Sequence, residues 1–253
     1  MFEILIPKLV VLTTQVGNEI LRYYKTDMQV EGKSDGTPLT IADQTAHHMI
    51  VEALQKLTPG TPILSEESTE IPFLERSKWD EYWLIDPLDG TRDFLEHTGE
   101  FCICIAYIKN NRCVFGMVYS PTENTHYYGA EGFPAYKMTN GMGQEIHVKQ
   151  PSDTLKIVIG HHSSNNEKLQ KHLQSLGQHS ITKIGSALKF CLIAEGAYDY
   201  YPRFGPCSEW DTAAGACILE SAGGQVIDKQ GRTLKYNTKE DLTSPVFFAS
   251  GDI

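Results

Sequence analysis

The chain has 253 residues, and its content of 41% hydrophobic and 21% charged residues is typical of a soluble globular protein rather than a disordered or fibrous one. A chain of this length can bury a substantial core without disulfide or metal crosslinks, so fold stability alone does not explain its clustered acidic residues. Its 22 basic and 32 acidic residues give a formal net charge of −10, which argues against a nucleic-acid polymer as the main partner.

Two helices are predicted near the start of the chain. Apolar residues at spacings of three and four predict an amphipathic helix with one inward stripe, formed by Leu5, Leu9, Leu12, Val16, Ile20 and Tyr23. A second helix is predicted from Thr40, which Asp43 follows three residues later in a capping-box-like pattern, to the stop signal Pro59-Gly60. The segment 33–38 before this helix is rich in turn residues.

The segments that follow predict two halves with different organisation. Short apolar runs joined by turns predict a hairpin-built sheet from segments 63–64, 82–85, 101–108 and 114–119. After residue 151 strands and helices alternate, with strands at 157–159, 181–184, 226–227 and 246–248 and helices at 167–176, 186–195 and 211–221. We therefore place a boundary near residue 150, between an α+β half (1–150) and an α/β half (151–253), with a candidate site in the cleft between them.

The segment 83–91, Trp-Leu-Ile-Asp-Pro-Leu-Asp-Gly-Thr, predicts a metal site. Its apolar strand runs into Asp86 and Asp89, and the proline between them stiffens the turn so that both carboxylates and the Leu88 carbonyl can face one point. Gly90 and Thr91 then open a helix, whose free backbone N–H groups favour a phosphate. The alternative for an isolated Asp-Pro-x-Asp is a solvated acidic turn.

Two further acidic positions follow the same pattern. Glu66 and Glu67 lie at the exit of the short apolar strand 62–64, although adjacent glutamates are commonly surface charge. Asp211 begins a helix of small residues in Trp-Asp-Thr-Ala-Ala-Gly, where an ordinary N-cap aspartate is the alternative. Neither position is decisive alone.

Together these motifs resemble the inositol monophosphatase superfamily of Mg²⁺-dependent, lithium-sensitive phosphatases. The signature of that superfamily is an apolar strand into Asp-Pro-[Leu/Ile]-Asp-Gly-Thr and a later Trp-Asp-x-Ala-Ala-Gly, and residues 86–91 and 210–215 match it in the same order. The resemblance covers nearly the whole chain. It implies a layered α-β-α-β-α sandwich and at least two Mg²⁺ ions in each active site.

The resemblance also implies a role for each acidic residue. Glu66, Asp86 and the Leu88 carbonyl would hold one Mg²⁺, and Asp86, Asp89 and Asp211 a second, so that four carboxylates are neutralised by two dications. An aspartate and a threonine that orient and deprotonate the attacking water correspond here to Asp43 and Thr91. A helix-cap acid is the alternative for Asp43. The residues expected around the scissile phosphate are Glu66, Leu88, Asp89, Gly90, Thr91 and Asp211.

Segments 183–196 and 200–206 resemble the bacterial type of 3′(2′),5′-bisphosphate nucleotidase within this superfamily. That resemblance implies removal of the 3′(2′)-phosphate of adenosine 3′,5′-bisphosphate, with Gly185, Ser186, Lys189 and Arg203 against the nucleotide. A second phosphate away from the metals requires fixed cations, which Lys189 and Arg203 supply unless they are solvated surface residues. Related nucleotidases have an Arg-Ser-His-like stretch where this chain has Gly-His-His-Ser-Ser at 160–164, so the base-contacting residue stays open.

Three matters are left open by the sequence. Inositol monophosphatase or fructose-1,6-bisphosphatase activity on the same metal core is the main alternative, and a non-catalytic nucleotide- or metal-binding module is another. His161 and His162 lack a third ligand at zinc-site spacing, so we interpret them as loop residues. Scattered cysteines without Cys-x-x-Cys, no basic leader and Lys8 within the first apolar stretch favour a cytoplasmic protein without a spanning helix. The oligomeric state, monomer or homodimer, and peripheral membrane association stay open.

Overall fold

The structure, a computed structural model, describes residues 2–24, 30–32, 38–150, 153–163 and 165–251, with no side-chain description for 30–32 and 38–40. The α-helices are α1 (Phe2–Tyr24), α2 (Ile41–Leu57), α3 (Phe73–Arg76), α4 (Thr91–Leu95), α5 (Glu167–Ser175), α6 (Leu188–Ala194) and α7 (Trp210–Ser221). Segment 33–37, Ser164 and the proposed Thr40 side-chain cap lie outside this description.

The strands form a large sheet, a smaller sheet and a short two-stranded ribbon. In chain order they are β1 (Val30–Gly32), β2 (Pro38–Thr40), β3 (Ile63–Ser65), β4 (Glu81–Asp89), β5 (Cys102–Lys109), β6 (Arg112–Ser120), β7 (Thr125–Ala130), β8 (Phe133–Thr139), β9 (Met142–Ile146), β10 (Leu155–Ile159), β11 (His179–Lys183), β12 (Tyr200–Arg203), β13 (Gln225–Asp228) and β14 (Phe247–Ser250). The large sheet runs from β3 to β9 in sequence order, antiparallel except for the parallel pair β3–β4.

The hairpin-built sheet predicted from the sequence is confirmed and is larger than expected. Strands β5 and β6 are joined at Asn110 and Asn111, which both have positive φ (50° and 61°), the conformation that matches a tight hairpin to the twist of its strands. Strands β7 to β9 extend this sheet beyond residue 119, where the sequence analysis stopped.

Helices α1 and α2 cover one face of the large sheet. The predicted stripe of α1 packs with Ala42, Ala46, Ile50 and Leu54 of α2 against Trp83 and the neighbouring inward side chains of the sheet. By length and composition alone α1 could cross a membrane, since an 18-residue window has a mean hydropathy of 1.3. Its apolar stripe is buried in this core, which is a sufficient reason for that hydropathy.

The opposite face of the large sheet packs on α6 and α7, which lie between the two sheets. Because successive side chains of a strand point to opposite faces, Tyr82 and Leu84 join the α6/α7 core while Trp83 and Ile85 face α1 and α2. The smaller sheet, of order β11-β10-β12-β14-β13, contacts α6 and α7 on one side and α5 on the other. The layers are therefore α-β-α-β-α, which confirms the expected fold class.

Two element boundaries differ from the sequence-based expectation. The helix expected over 186–195 begins only at Leu188, because Ser186 adopts a left-handed conformation (φ 49°) that a helix does not contain. The strand expected over 181–184 is β11, at His179–Lys183.

The large sheet ends at Ile146 and the smaller one begins at Leu155. The division into halves 1–150 and 151–253 stays a prediction, since α6 and α7 pack on both sheets.

Candidate active site

The end of β4 brings two aspartates to one edge of the large sheet. Residues 81–85 are a largely buried strand, and its pairing with β5 is interrupted between Asp86 and Asp89. The Leu88 N–H donates a hydrogen bond to Asp86 Oδ1 at 3.0 Å, an Asx turn that fixes this carboxylate. The Asp-Pro turn thus directs Asp86 and Asp89 toward one point, as the sequence predicted.

Immediately after this turn the backbone requires a glycine. Gly90 has φ 90° and ψ 38°, and a Cβ there would lie 3.1 Å from the Glu100 carbonyl oxygen. Helix α4 then starts at Thr91, whose hydroxyl donates to the Leu88 carbonyl oxygen at 3.2 Å. The Thr91 hydroxyl and the Leu88 carbonyl, which the family resemblance assigns to water activation and metal binding, are therefore direct neighbours.

The third aspartate reaches this point from the other side, on α7. Asp211 lies inside the helix, after Trp210, and its Oδ2 accepts hydrogen bonds from the Ser208 N–H at 3.0 Å and the Cys207 thiol at 3.4 Å. The N-cap alternative is therefore wrong for Asp211. The small residues of α7 allow a close approach to the large sheet, where a Cβ on Gly116 would collide with the Ala214 backbone.

The carboxylates of Asp86, Asp89 and Asp211 have one oxygen each within 4.8 Å of one another. Burial raises the pKa of Asp86 well above its usual range. The charges of four neighbouring acids, Glu66, Asp89, Asp211 and Asp43, add to that effect. Burial, followed by the charge of Asp211, raises the pKa of Asp89 to about 7. A buried cluster of hard oxygen donors that repel one another is a site that a divalent cation would stabilise.

Glu66 and Asp43 approach the same cluster from two further elements. Glu66 begins the short 3₁₀ turn Glu66–Ser68 after β3 and lines the cavity described below, so it is not simple surface charge. Asp43 is fully buried in the first turn of α2. The charges of both acids contribute to the raised pKa of Asp86, which places them within electrostatic reach of the cluster.

The acidic cluster lines a cavity of about 540 Å³. A second set of lining residues, which we call the second wall, comes from segments 160–163, 185–189 and 201–208. The cavity is therefore lined by residues from both ranges, 1–150 and 151–253, that the sequence analysis distinguished. The Gly185, Ser186, Lys189 and Arg203 expected at the nucleotide all line it.

The two cations of this wall have different surroundings. Lys189 is buried and donates to the carbonyl oxygens of Ile184 and Ser186, so its ammonium group fixes the left-handed turn at Ser186. Arg203 donates from Nη2 to the Pro206 carbonyl oxygen at 2.7 Å, while its buried Nε has no hydrogen-bond partner among the described residues. Neither cation is a solvated surface residue, and Arg203 has donors available to an anion in the cavity.

Comparison with known proteins identifies the family. The model of the inositol monophosphatase family matches residues 5–249. The chain belongs to this family. The chain is 44% identical to the 3′(2′),5′-bisphosphate nucleotidase CysQ of Salmonella typhimurium over 239 residues, 93% of this chain and 95% of the relative. It is 42% identical to CysQ of Escherichia coli K12 over 242 residues, 94% and 96% of the two chains.

Solved structures of the inositol monophosphatase family agree with this assignment. The crystal structure of CysQ from Bacteroides thetaiotaomicron matches with a TM-score of 0.83 and 33% identity, covering 96% of this chain and 95% of that one. An inositol monophosphatase from Thermotoga maritima matches with a TM-score of 0.79 and 27% identity, covering 97% and 91%. Both resemblances inferred from the sequence motifs are thus confirmed. The inositol monophosphatase family uses divalent metal ions, and the oxygen donors of the acidic cluster fit them.

Next to Gly185 the structure brings together His161, Asp93 and Glu100, a cluster that the sequence analysis missed. His161 Nε2 lies 2.5 Å from Glu100 Oε2 and 3.7 Å from Asp93 Oδ1, and the Gly185 N–H donates to the same Glu100 oxygen at 2.6 Å. A Cβ on Gly185 would collide with Asp93 and with the Glu100 backbone. His161 therefore connects the two halves of the chain, whereas His162 lies at the surface, 3.7 Å from Glu96. The sequence analysis considered only ligands at zinc-site spacing, so it did not connect His161 with Asp93 and Glu100, which precede it by more than sixty residues.

Proposed function

We propose that the protein is a Mg²⁺-dependent phosphatase that removes the 3′(2′)-phosphate of adenosine 3′,5′-bisphosphate, giving AMP and inorganic phosphate. The observation that carries the proposal is one cavity that is lined both by a cluster of buried carboxylates and by Lys189 and Arg203. The names of the curated relatives that span the whole chain support the same activity.

The metal ions are assigned to the acidic cluster. Glu66, Asp86 and the Leu88 carbonyl would hold one Mg²⁺, and Asp86, Asp89 and Asp211 a second, because small dications of this kind prefer oxygen ligands. When bound, the ions would supply positive charge that acidifies water and offsets the charge of the phosphate. The raised pKa values of Asp86 and Asp89 support this assignment, since burial and the charges of neighbouring carboxylates outweigh the opposite effect of Lys189 on Asp89.

Thr91 and Asp43 are assigned to the attacking water. The Thr91 hydroxyl already donates its hydrogen to the Leu88 carbonyl oxygen, so its oxygen is free to accept a hydrogen bond from water and orient it. Asp43 is buried and close enough to influence Asp86, so its carboxylate is suited to take up the proton that the water loses. Attack of the water oxygen on phosphorus then breaks the bond to the ribose oxygen in line with the attack.

The substrate contacts divide between the two walls. We assign to the scissile phosphate six residues that line the cavity, Glu66, Leu88, Asp89, Gly90, Thr91 and Asp211. Gly185 and Ser186 lie against the ribose in this assignment, and Arg203 binds the phosphate that is kept, with Lys189 maintaining the turn as well as adding charge. An inositol monophosphatase or a fructose-1,6-bisphosphatase would use the same acidic wall, but inositol monophosphate would leave these two cations without a partner.

A phosphate-release panel tests the assignment. The substrates are adenosine 3′,5′-bisphosphate, its 5′-sulfated precursor, inositol 1-phosphate and fructose 1,6-bisphosphate, each with Mg²⁺ and with a chelator. We expect the adenosine bisphosphates to have kcat/KM at least about tenfold above inositol 1-phosphate, which lacks a second phosphate and so loses one charge-assisted contact. Fructose 1,6-bisphosphate keeps a second phosphate, so its rate tests whether the nucleoside is recognised as well. Equal or faster release from inositol 1-phosphate would contradict the proposed substrate, and release unaffected by the chelator would contradict the metal assignment.

The compartment and the assembly of the protein are part of the proposal. None of the six cysteines, all within the described residues, forms a disulfide, which is the pattern of a reducing compartment. We therefore place the enzyme in the cytoplasm. A monomeric or homodimeric state and a peripheral membrane association stay predictions from the subfamily resemblance.

A further inference from the structure

Two cysteine thiols lie directly behind the acidic cluster. Cys102 and Cys104 are two residues apart on β5, so both side chains point to the same face of the sheet, and both are buried. In the ladder between β4 and β5, Cys104 pairs with Asp86 and Cys102 with Asp89. The two Sγ atoms are 3.7 Å apart, and the Cys102 Sγ lies 3.7 Å from Asp89 Oδ2.

These separations match those between the ligands of one tetrahedral zinc ion. Zinc–thiolate bonds of about 2.3 Å and zinc–carboxylate bonds of about 2.1 Å separate two sulfurs by about 3.8 Å and a sulfur from an oxygen by about 3.6 Å. One ligand atom each from Asp89, Cys102 and Cys104 lies within 4.8 Å of the other two. Small shifts of these side chains would be enough to place all three around one ion.

We propose that Asp89, Cys102 and Cys104 form a binding site for a thiophilic divalent cation, represented by Zn²⁺ or Cd²⁺. Soft thiolate ligands favour these ions, whereas Mg²⁺ favours oxygen, so the thiol pair and the all-oxygen cluster select different metals. On binding, each thiol releases one proton to solvent. The ion is then held by two thiolates and one carboxylate, with a fourth position for water.

Asp89 lies between the cavity and the two thiols, so it affects both the entry of a cation and the phosphatase activity. Asp89 lines the cavity and its Oδ2 lies 3.7 Å from the Cys102 Sγ, whereas both thiols are buried behind it, so entry of a cation from the cavity requires the Asp89 side chain to move. The same Oδ2 accepts a hydrogen bond from the Ala187 N–H, which must weaken when the ion binds. Since Asp89 also belongs to the acidic cluster, occupation of the thiol site withdraws a carboxylate from that cluster and lowers phosphatase activity. Only this last consequence depends on the proposed function.

A cadmium titration tests binding without reference to activity. The full chain, kept reduced with a phosphine, is saturated with Mg²⁺ and titrated with Cd²⁺, and the near-ultraviolet cadmium–thiolate absorbance is recorded together with calorimetric stoichiometry. We expect one Cd²⁺ with an absorbance of two thiolates, and a Kd raised at least about tenfold in Cys102→Ser and in Cys104→Ser. Cys113→Ser is the matched control and should retain the wild-type Kd.

Two results would overturn the proposal. One is the absence of a thiolate band at saturating Cd²⁺ in the wild-type protein. The other is a band that persists in the Cys102→Ser variant and disappears in Cys207→Ser, which would assign the metal to the thiol beside Asp211. If a serine variant does not fold, judged by its thermal unfolding, Cys102→Ala and Cys104→Ala replace it.

Inhibition provides a separate readout. With adenosine 3′,5′-bisphosphate as substrate, Zn²⁺ should inhibit the wild-type enzyme, and because Asp89 belongs to both sites, raising Mg²⁺ should increase the Zn²⁺ concentration needed for half inhibition. At one fixed Mg²⁺ concentration, Cys102→Ser should require at least about tenfold more Zn²⁺ for the same inhibition. Inhibition of equal potency in both proteins would place Zn²⁺ in the oxygen cluster and contradict the thiol site. Absence of any wild-type phosphatase activity would contradict the proposed function and leave the Cd²⁺ binding result as the test of this site.

Discussion

Replacing Arg203 by alanine should change substrate selectivity rather than activity in general. In the structure one Nη2 hydrogen bond to the Pro206 carbonyl fixes the guanidinium group, and the buried Nε is left without a partner in the described residues. A phosphate that accepts from the remaining donors gains a charge-assisted contact of roughly 1.5 to 3 kcal/mol, which corresponds to about ten- to a hundred-fold in kcat/KM. A substrate without that phosphate has no such contact to lose.

The hydrogen bond from Arg203 to the Pro206 carbonyl supports the loop whichever substrate is bound. Loss of the bond to Pro206 would loosen segment 203–206 at a cost of about 1 kcal/mol, whichever substrate is present. The ratio of kcat/KM for adenosine 3′,5′-bisphosphate to that for adenosine 3′-monophosphate therefore isolates the phosphate contact. Arg232→Ala is the matched control, because Arg232 is an exposed arginine that pairs with Asp228 and does not line the cavity.

The assay is initial-rate phosphate release at saturating Mg²⁺ for the two substrates. We expect Arg203→Ala to lower the ratio about ten- to a hundred-fold and Arg232→Ala to leave it unchanged. An equal loss for both substrates in Arg203→Ala would mean that the arginine only supports the loop, and would refute its assignment to the phosphate that is kept.

Three further changes have defined outcomes. Asp89→Asn should lower kcat by several orders of magnitude while raising the thermal unfolding temperature in chelator, because it removes one repelling carboxylate; a kcat near that of wild type would refute its role in metal binding. Gly116→Ala should destabilise the fold by about 1 to 3 kcal/mol in denaturant unfolding, because its Cβ meets the Ala214 backbone, whereas Gly143→Ala has no atom within 4 Å and should be near neutral. Burial lowers the pKa of His126 to about 4, so the contribution of neutral His126 to the free energy of unfolding should be complete above about pH 6.5 and should fall by up to about 3 kcal/mol toward pH 4. An equal decline in His126→Gln would refute this origin.

The acidic end of β4 could be predicted because its information is local. An apolar strand that runs into Asp-Pro-Leu-Asp fixes the direction of the chain, the position of the turn and the side on which Asp86 and Asp89 emerge. Asp211 lies more than a hundred residues further along, and only the family resemblance related it to this turn. The structure explains the proximity by the small residues of α7, which bring that helix against Gly116.

The parts that were missed depend on tertiary contacts. Strands β7 and β8 contain Gly129 and Pro134, residues that argue against a strand when read locally. In the structure Gly129 pairs with Gly116 of β6, and Pro134 lies at a register shift between β7 and β8, where it is not a paired residue. The turn at Ser186 interrupts an otherwise helical pattern because Lys189 binds the carbonyl oxygens before it. Glu100 gave no sequence signal, since a single glutamate is ordinarily exposed, and its partners His161 and Gly185 come from the other half of the chain.

The most direct test of the account is product analysis of adenosine 3′,5′-bisphosphate hydrolysis in ¹⁸O-labelled water. The products are separated and their masses are measured by mass spectrometry, with parallel reactions in Mg²⁺ and in chelator. Attack of water on the 3′-phosphorus predicts 5′-AMP without label and inorganic phosphate carrying one ¹⁸O atom, formed only when Mg²⁺ is present. Formation of adenosine 3′-monophosphate, label in the nucleoside product, or equal turnover in chelator would contradict the proposed assignment of the acidic cluster and the two cations to the two phosphates.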